Sequence, residues 1–297
     1  MRIPTLSHVS AFFTQANRRS ARRTMSRRVW TNVGLLVVLV PVAFVVLVPF
    51  FWMITTSLKP RGLIGEPPFL YPVHFEFVNY AKAWQAAPFV RYYFNTLVVA
   101  GAVVASRVVL ASMAAYVFAF LRFPGRDLLF LLLIGTMMIP FQSTVIPAYL
   151  IVSDLHWFNS YQALIVPRMV DAFSIFLLRQ SFISLPRDYF DAARLDGCWH
   201  WGILWRLVIP LSRATVVAMS LFTFLFVWND FLWPLLVAND EQMRVIQVGL
   251  QVFSGQYLTE WTYMMAGTVT ATFLPVVFFF LAQKQFISGL TNSGLKG

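Results

Sequence analysis

Residues 33–54 form an apolar run without one charged side chain, and comparable runs follow at 96–120, 128–151, 161–178, 214–236 and 263–282. About 20 consecutive apolar residues carry a helix across a hydrocarbon layer. Only helices and closed barrels satisfy their own backbone there. The pattern predicts an all-α, polytopic membrane protein with six transmembrane helices. Composition agrees, since 59% of residues are hydrophobic and 12% charged, against about 25% charged in an ordinary soluble domain. The first run exceeds the ~7–15 residues of a cleavable signal core. It is followed by Thr55-Thr56-Ser57-Leu58-Lys59-Pro60 rather than a small-residue cleavage site, so it reads as a retained span.

The net charge of +11 would suggest nucleic acid in a soluble protein, but its placement does not. Arg18, Arg19, Arg22, Arg23, Arg27 and Arg28 all precede the first run, where they meet anionic headgroups and set orientation. Arg122 and Arg126, the five arginines between 179 and 213, and Lys284 fall on the same side if the spans alternate. The opposite side holds only Lys59, Arg61, Lys82, Arg91 and Arg244. The positive-inside rule then places both termini in the cytoplasm. Residues 1–29 read as a basic cytoplasmic arm expected to be mobile, and 30–297 as a six-span domain carrying a cytoplasmic loop at 179–213. Outside, 56–94 and 237–262 are long and aromatic, with Trp84, Tyr92 and Tyr93 in the first. Those rings suit interfacial anchoring or the docking of a partner.

The segment 179–213 is too charged to span. Leu185-Pro186-Arg187-Asp188 reads as a helix start with proline in the first turn, and Asp188 and Asp191 suit the positive helix end. The helix is expected to run to about Leu195, with Gly197 freeing the backbone for a sharp turn. A second amphipathic stretch then leads to Pro210. Small side chains at Ala192 and Ala193 let such a helix settle into a groove on another protein, and Asp191 offers that groove a carboxylate. The bland alternative is an interfacial helix in which Asp191 pairs with Arg194, worth a few tenths of a kcal/mol.

The run Asp191-Ala192-Ala193-Arg194-Leu195-Asp196-Gly197-Cys198, with Leu207-Val208-Ile209-Pro210 beyond it, resembles the signature loop of permease subunits in binding-protein-dependent ABC importers. Asp191 stands where that pattern has Glu, and Cys198 where it has Ala. Further stretches resemble the second permease of carbohydrate importers of the maltose and glycerol-3-phosphate type. These are 116–126, Met137-Met138-Ile139-Pro140, Trp228-Asn229-Asp230-Phe231-Leu232-Trp233-Pro234, and 283–290 with the terminal Lys296-Gly297. The resemblance implies a multi-pass subunit of the bacterial cytoplasmic (inner) membrane. Its partners would be a second permease, two ATPases beneath and an extracytoplasmic solute-binding protein. It further implies that Asp191, Ala192, Ala193, Asp196, Gly197 and Pro210 couple the chain to an ATPase. The chain would not itself be an enzyme and would hold no cofactor, with ATP and Mg bound by the ATPase.

The residues agree with that division of labour. No Gly-x-x-x-x-Gly-Lys-Ser/Thr cradle for phosphates occurs. His8, His74, His156 and His200 are scattered without metal-ligand spacing, and Cys198 is the single cysteine.

Four ionisable residues fall within the runs: Arg107, Arg168, Asp171 and Asp230. A charge at the centre of a spanning helix costs at least ~2.5–3.5 kcal/mol on insertion scales, so each calls for a partner or a wet cavity. Arg168 and Asp171, three residues apart, are placed to pair on one helix face, and Asp230 to receive Arg107. Such pairs either lock the bundle or line a solute path. Asn95, Gln142, Trp228, Asn229 and Asp230 have the chemistry to meet sugar hydroxyls and faces. Pro140, Pro147 and Pro275 are expected to kink their helices. Alternatives to a sugar importer are an ABC permease for a polyamine or metal chelate, and a self-sufficient secondary transporter using Arg107, Asp171 and Asp230 as a proton relay.

Overall fold

The computed structural model describes residues 33–64, 67–68, 70–255 and 259–294, with side chains described as far as 283. The basic arm at 1–29 and the terminal Lys296-Gly297 lie outside the described residues. The described chain is helical throughout, and no strand is formed among the described residues.

Three helices are each long and apolar enough to cross a membrane: α1 (Val33–Ser57), α3 (Phe89–Phe120) and the final helix, whose crossing portion is Trp261–Gln283. A short helix, α2 (Val78–Gln85), precedes α3. At 32 residues α3 is about 48 Å long, so it projects beyond the hydrocarbon at one end or both. It is the central post. Its fully buried Ala100, Val103, Ala111 and Ala115 let neighbouring helices approach closely, as small residues do in membrane bundles. The apolar length of α1, in contrast, buries nothing within this chain.

The remaining apolar runs are broken. The third divides into α4 (Arg126–Thr136) and α5 (Phe141–Asp154), inclined at 95°. Pro140 precedes α5 in extended conformation, because proline offers no N–H and disfavours helix at the residue before it. Pro147 and Pro275, by contrast, lie inside continuous helices, so of the three prolines only Pro140 marks a break. The fourth run divides into α6 (Tyr161–Ile165), a 3-10 turn (Val166–Arg168) and α7 (Ala172–Ile183), bent by 44°. Asp171 starts α7 as its N-cap, accepting from Ser174 N at 3.1 Å. Beyond α7 come α8 (Asp188–Leu195), α9 (His200–Gly202), a π-helical stretch (Ile203–Val208) and α10 (Ile209–Leu211). The chain turns by 82° into α11 (Arg213–Trp228). A break at 229–231 precedes α12 (Leu232–Val237), and α13 (Ile246–Gly249) leads towards the last helix, α14 (Trp261–Gly294).

Two apolar clusters hold these pieces. One gathers Phe89, Tyr92, Trp228, Trp233, Ile246 and Phe253, and the other Ala111, Tyr116, Leu178, Phe182, Phe190 and Met219. Tyr92 is fully buried, and Trp84 stacks on Tyr93 with centroids 5.3 Å apart. These aromatics, expected outside the membrane, therefore pack at least partly on the chain's own core.

Candidate functional site

Two arrangements stand out: the short helix α8 on the surface and a charged cavity, open on one side, between α3, α7 and α11. Helix α8 begins at Asp188, two residues after the proline expected to start it, and ends at Leu195 as expected. Its end is closed by Gly197 N–H donating to Arg194 O at 3.0 Å and Cys198 N–H to Ala193 O at 2.9 Å. Gly197 itself sits at φ +76°, the left-handed conformation that glycine adopts without a Cβ clash.

One side chain anchors this helix. Phe190 is buried, its ring centroid 4.2 Å from that of Phe120. The following stretch is pinned to α3 by Tyr116 Oη and His200 Nδ1, 2.9 Å apart, and by the buried Ile203, Leu204 and Val208. The opposite face is open: Asp191, Ala192, Asp196 and Gly197 are exposed, Ala193 is half-buried, and Leu195 is 90% exposed. Pro210 is exposed where the chain turns towards α11. No ion pair joins Asp191 to Arg194 among the described residues, so the self-contained pairing expected for a bland interfacial helix is not formed. A carboxylate beside small side chains is thus presented outward, next to a large uncovered leucine.

The cavity, about 570 Å³, is lined by Arg107, Arg168, Asp171, Thr136, Thr223 and a wall of apolar side chains that includes Phe173, Phe222 and Phe226. Its ion pairs differ from those expected. Arg107 Nη1 lies 3.0 Å from Asp171 Oδ1, and Arg168 Nη2 lies 2.8 Å from Asp230 Oδ2. The reason is the break in the fourth run. Asp171 is extended, not helical, so the helical i,i+3 geometry that would have joined it to Arg168 does not exist. Its carboxylate caps α7 and bonds Ser174 Oγ, which leaves it facing α3 and Arg107. Arg107 also donates its Nε to the carbonyl of Arg168 at 2.9 Å, a carbonyl released by the same break. Aromatic faces complete the shell, with the Arg168 guanidinium 4.2 Å from the Phe141 centroid and both arginines over Phe226. Such contacts are favourable where cations are desolvated.

The polar residues expected along a solute path separate into two groups. Asn95 is buried: it donates to Gln242 O and Arg244 O at 2.8 and 2.9 Å and accepts from Tyr161 Oη at 2.8 Å. Trp228 is buried as well, its indole N–H bonded to Ala271 O at 3.1 Å. These two tie helices and the segment at 242–244 together inside the chain. Gln142 and Asn229 are exposed, and Asp230 sits at the edge of the interior, paired to Arg168. The structure adds Thr136, Thr223 and Phe226 to the cavity wall. Nothing in an all-round apolar helix distinguishes a residue facing the cavity from one facing lipid, so sequence periodicity had no means of finding them.

Residues 107–291 match the family described as binding-protein-dependent transport system inner membrane component. The arabinooligosaccharides transport system permease protein AraQ of Bacillus subtilis is 33% identical over 255 residues, covering 84% of this chain and 91% of the relative. The sn-glycerol-3-phosphate transport system permease protein UgpE of Yersinia enterocolitica is 32% identical over 271 residues, covering 88% and 93%. Among solved structures, a chain of a bacterial ABC transporter involved in the import of the acidic polysaccharide alginate superposes with a TM-score of 0.77. It is 23% identical, with 88% of this chain and 98% of that chain covered. The fold is shared with that chain. The matched stretch runs from the buried Arg107 through α8 into the last helix, and this chain belongs to the binding-protein-dependent transport system inner membrane component family.

Proposed function

We propose that this chain is a membrane-spanning permease subunit of an ATP-driven, binding-protein-dependent importer for a sugar or sugar-phosphate. It crosses the bacterial inner membrane six times: by α1, by α3, by the broken pairs α4–α5 and α6–α7, by α11 with α12, and by α14. Both termini are cytoplasmic, which sets the positively charged loops on the inner side, and the chain divides into an arm at 1–29 and a transporting domain at 30–297. Its partners are a second permease, two ATPase subunits that bind ATP and Mg, and a solute-binding protein outside. The relatives' substrates, an arabinooligosaccharide and a glycerol phosphate, support the solute class.

The observation that carries the reading is the outward face of α8, which no described residue covers. Asp191, Ala192, Ala193, Asp196 and Gly197, with Pro210 at the following turn, form the lever on which the ATPase acts. Force applied there reaches α3 through Phe190–Phe120 and His200–Tyr116, and α3 carries Arg107 into the cavity. Gln142, Asn229 and Asp230 line the solute path, while Asn95 and Trp228 hold the helices that present them. Near-complete switching between inward- and outward-facing packings requires the ATP-bound ATPase to favour one of them by about 5.5 kcal/mol.

The test is the reconstituted complex carrying Asp191→Ala with Gly197→Pro. Transport and transport-linked ATP hydrolysis are expected to fall together while assembly of the permease pair persists. Wild-type transport with normal hydrolysis would overturn the coupling role.

A further inference from the structure

A second charged recess lies at the junction of α3 and α4, apart from the large cavity. Its volume is about 330 Å³, and Arg122, Phe123, Gly125, Arg126, Asp127 and Leu128 line it. That volume equals the share of about eleven liquid waters, enough for a phosphate and a glycerol.

Arg122 is exposed and has no ion pair among the described residues. Arg126 bonds Asp127 at 2.9 Å through Nε and Nη2 and reaches Leu121 O through Nη1 at 3.4 Å. Arg179 lies close enough to Arg126 for their charges to repel. Its guanidinium is held 3.9 Å from the Phe130 centroid, with Nε donating to Phe118 O at 3.2 Å. Two cations and one carboxylate thus line the recess, with Arg179 behind them, and Arg122 has no ion-pair partner among the described residues.

What lies directly beside the recess is apolar. On α4, Leu128, Leu129, Leu131 and Leu132 are each more than half exposed. Positive charge immediately above a leucine-faced helix matches one ligand chemistry, a phosphodiester attached to acyl chains. The arginines alone would suit a free phosphate as well; the leucine face beside them suits a phosphate that carries acyl chains.

We infer that the α3–α4 junction binds the headgroup of an anionic phospholipid of the phosphatidylglycerol type, Arg122 and Arg126 holding the phosphate and α4 carrying the acyl chains. Anionic lipid attracts basic residues at the membrane surface, and here two such residues share one recess instead of a diffuse patch. The inference goes beyond the transport reading, because lipid retention depends on neither the solute nor ATP.

The experiment is native mass spectrometry of the purified transporter complex, delipidated in detergent and offered equal phosphatidylglycerol and phosphatidylcholine. Wild type is expected to keep phosphatidylglycerol preferentially. Arg122→Gln with Arg126→Gln should bind it about tenfold to thirtyfold more weakly, and the double lysine variant should recover most of the binding. Arg187→Gln with Arg206→Gln, basic residues elsewhere on the same surface, should bind like wild type.

Equal retention of the two lipids by wild type would overturn the inference, as would unchanged binding in the double glutamine variant. Displacement of the lipid by millimolar inorganic phosphate would reassign the recess to a free anion. If the double glutamine variant kept phosphatidylglycerol but lost a co-purifying ATPase, the recess would belong to a protein contact.

Discussion

Arg168 shows how much one buried cation organises. Its Nη2 is bound to Asp230, its carbonyl accepts from Arg107, its guanidinium faces Phe141, and its Nε is buried without a hydrogen-bond partner. Removing one member of a buried pair strands the other and typically costs ~3–5 kcal/mol, whereas replacing both by packed apolar side chains is often neutral. Asp230→Ala is therefore expected to lower the thermal midpoint of the detergent-solubilised complex sharply. Arg168→Met with Asp230→Leu should recover much of the loss while transport stays impaired. Recovery of both would make the pair purely architectural, and failure to recover stability would mean that the Arg168 contacts matter more than its charge. The four intramembrane charges were legible in the sequence because ionisable groups in apolar runs are conspicuous. Their partners were not, since pairing depends on where the helix backbone opens.

At the scale of elements, the decisive features are interruptions and braces. The opening after Arg168 turned Asp171 from a helical neighbour into a cap, and the break at Pro140 set α4 and α5 nearly at right angles. Both changes bring side chains from different segments into one cavity. A brace of another kind joins the loop after α1 to the start of α14, where Arg61 Nε donates to Glu260 Oε2 at 2.8 Å and a second guanidinium nitrogen bonds Oε1. The hydrogen bond from Arg61, foremost, holds the Glu260 carboxyl below its ordinary range. A depressed folded-state value means the brace contributes fully above the ordinary pKa of glutamate, about 4.3. It is lost as pH falls through the lower folded value. Because Arg61 is exposed and Glu260 only half-buried, water screens the pair and the effect is local. A fluorophore at Leu63→Cys in a Cys198→Ser background should gain mobility only as the pH falls below the ordinary carboxylate range. With Glu260→Gln added it should be mobile at all pH values. Matching pH profiles in the two proteins would remove the brace from the account.

For the whole molecule, the orientation proposed from charge can be read with the chain's own single thiol. Cys198 is partly exposed just after α8, so a membrane-impermeant maleimide should label inside-out vesicles and spare right-side-out ones. A Lys82→Cys, Cys198→Ser variant should show the reverse. Labelling of Cys198 from outside would invert the topology and remove the lever from the ATPase side. The sequence by itself determined the helical class, the approximate apolar runs and the extent of α8. Apolar length and local caps are properties of consecutive residues, and a bilayer leaves few other ways to satisfy a backbone. Tertiary structure alone decided which charges pair, that Asn95 and Trp228 are spent on internal bonds, and that the fourth and fifth runs are divided where no helix-interior proline marks them. Each of those outcomes depends on which neighbour fills the space beside a residue, and an apolar helix carries no record of that neighbour in its own periodicity.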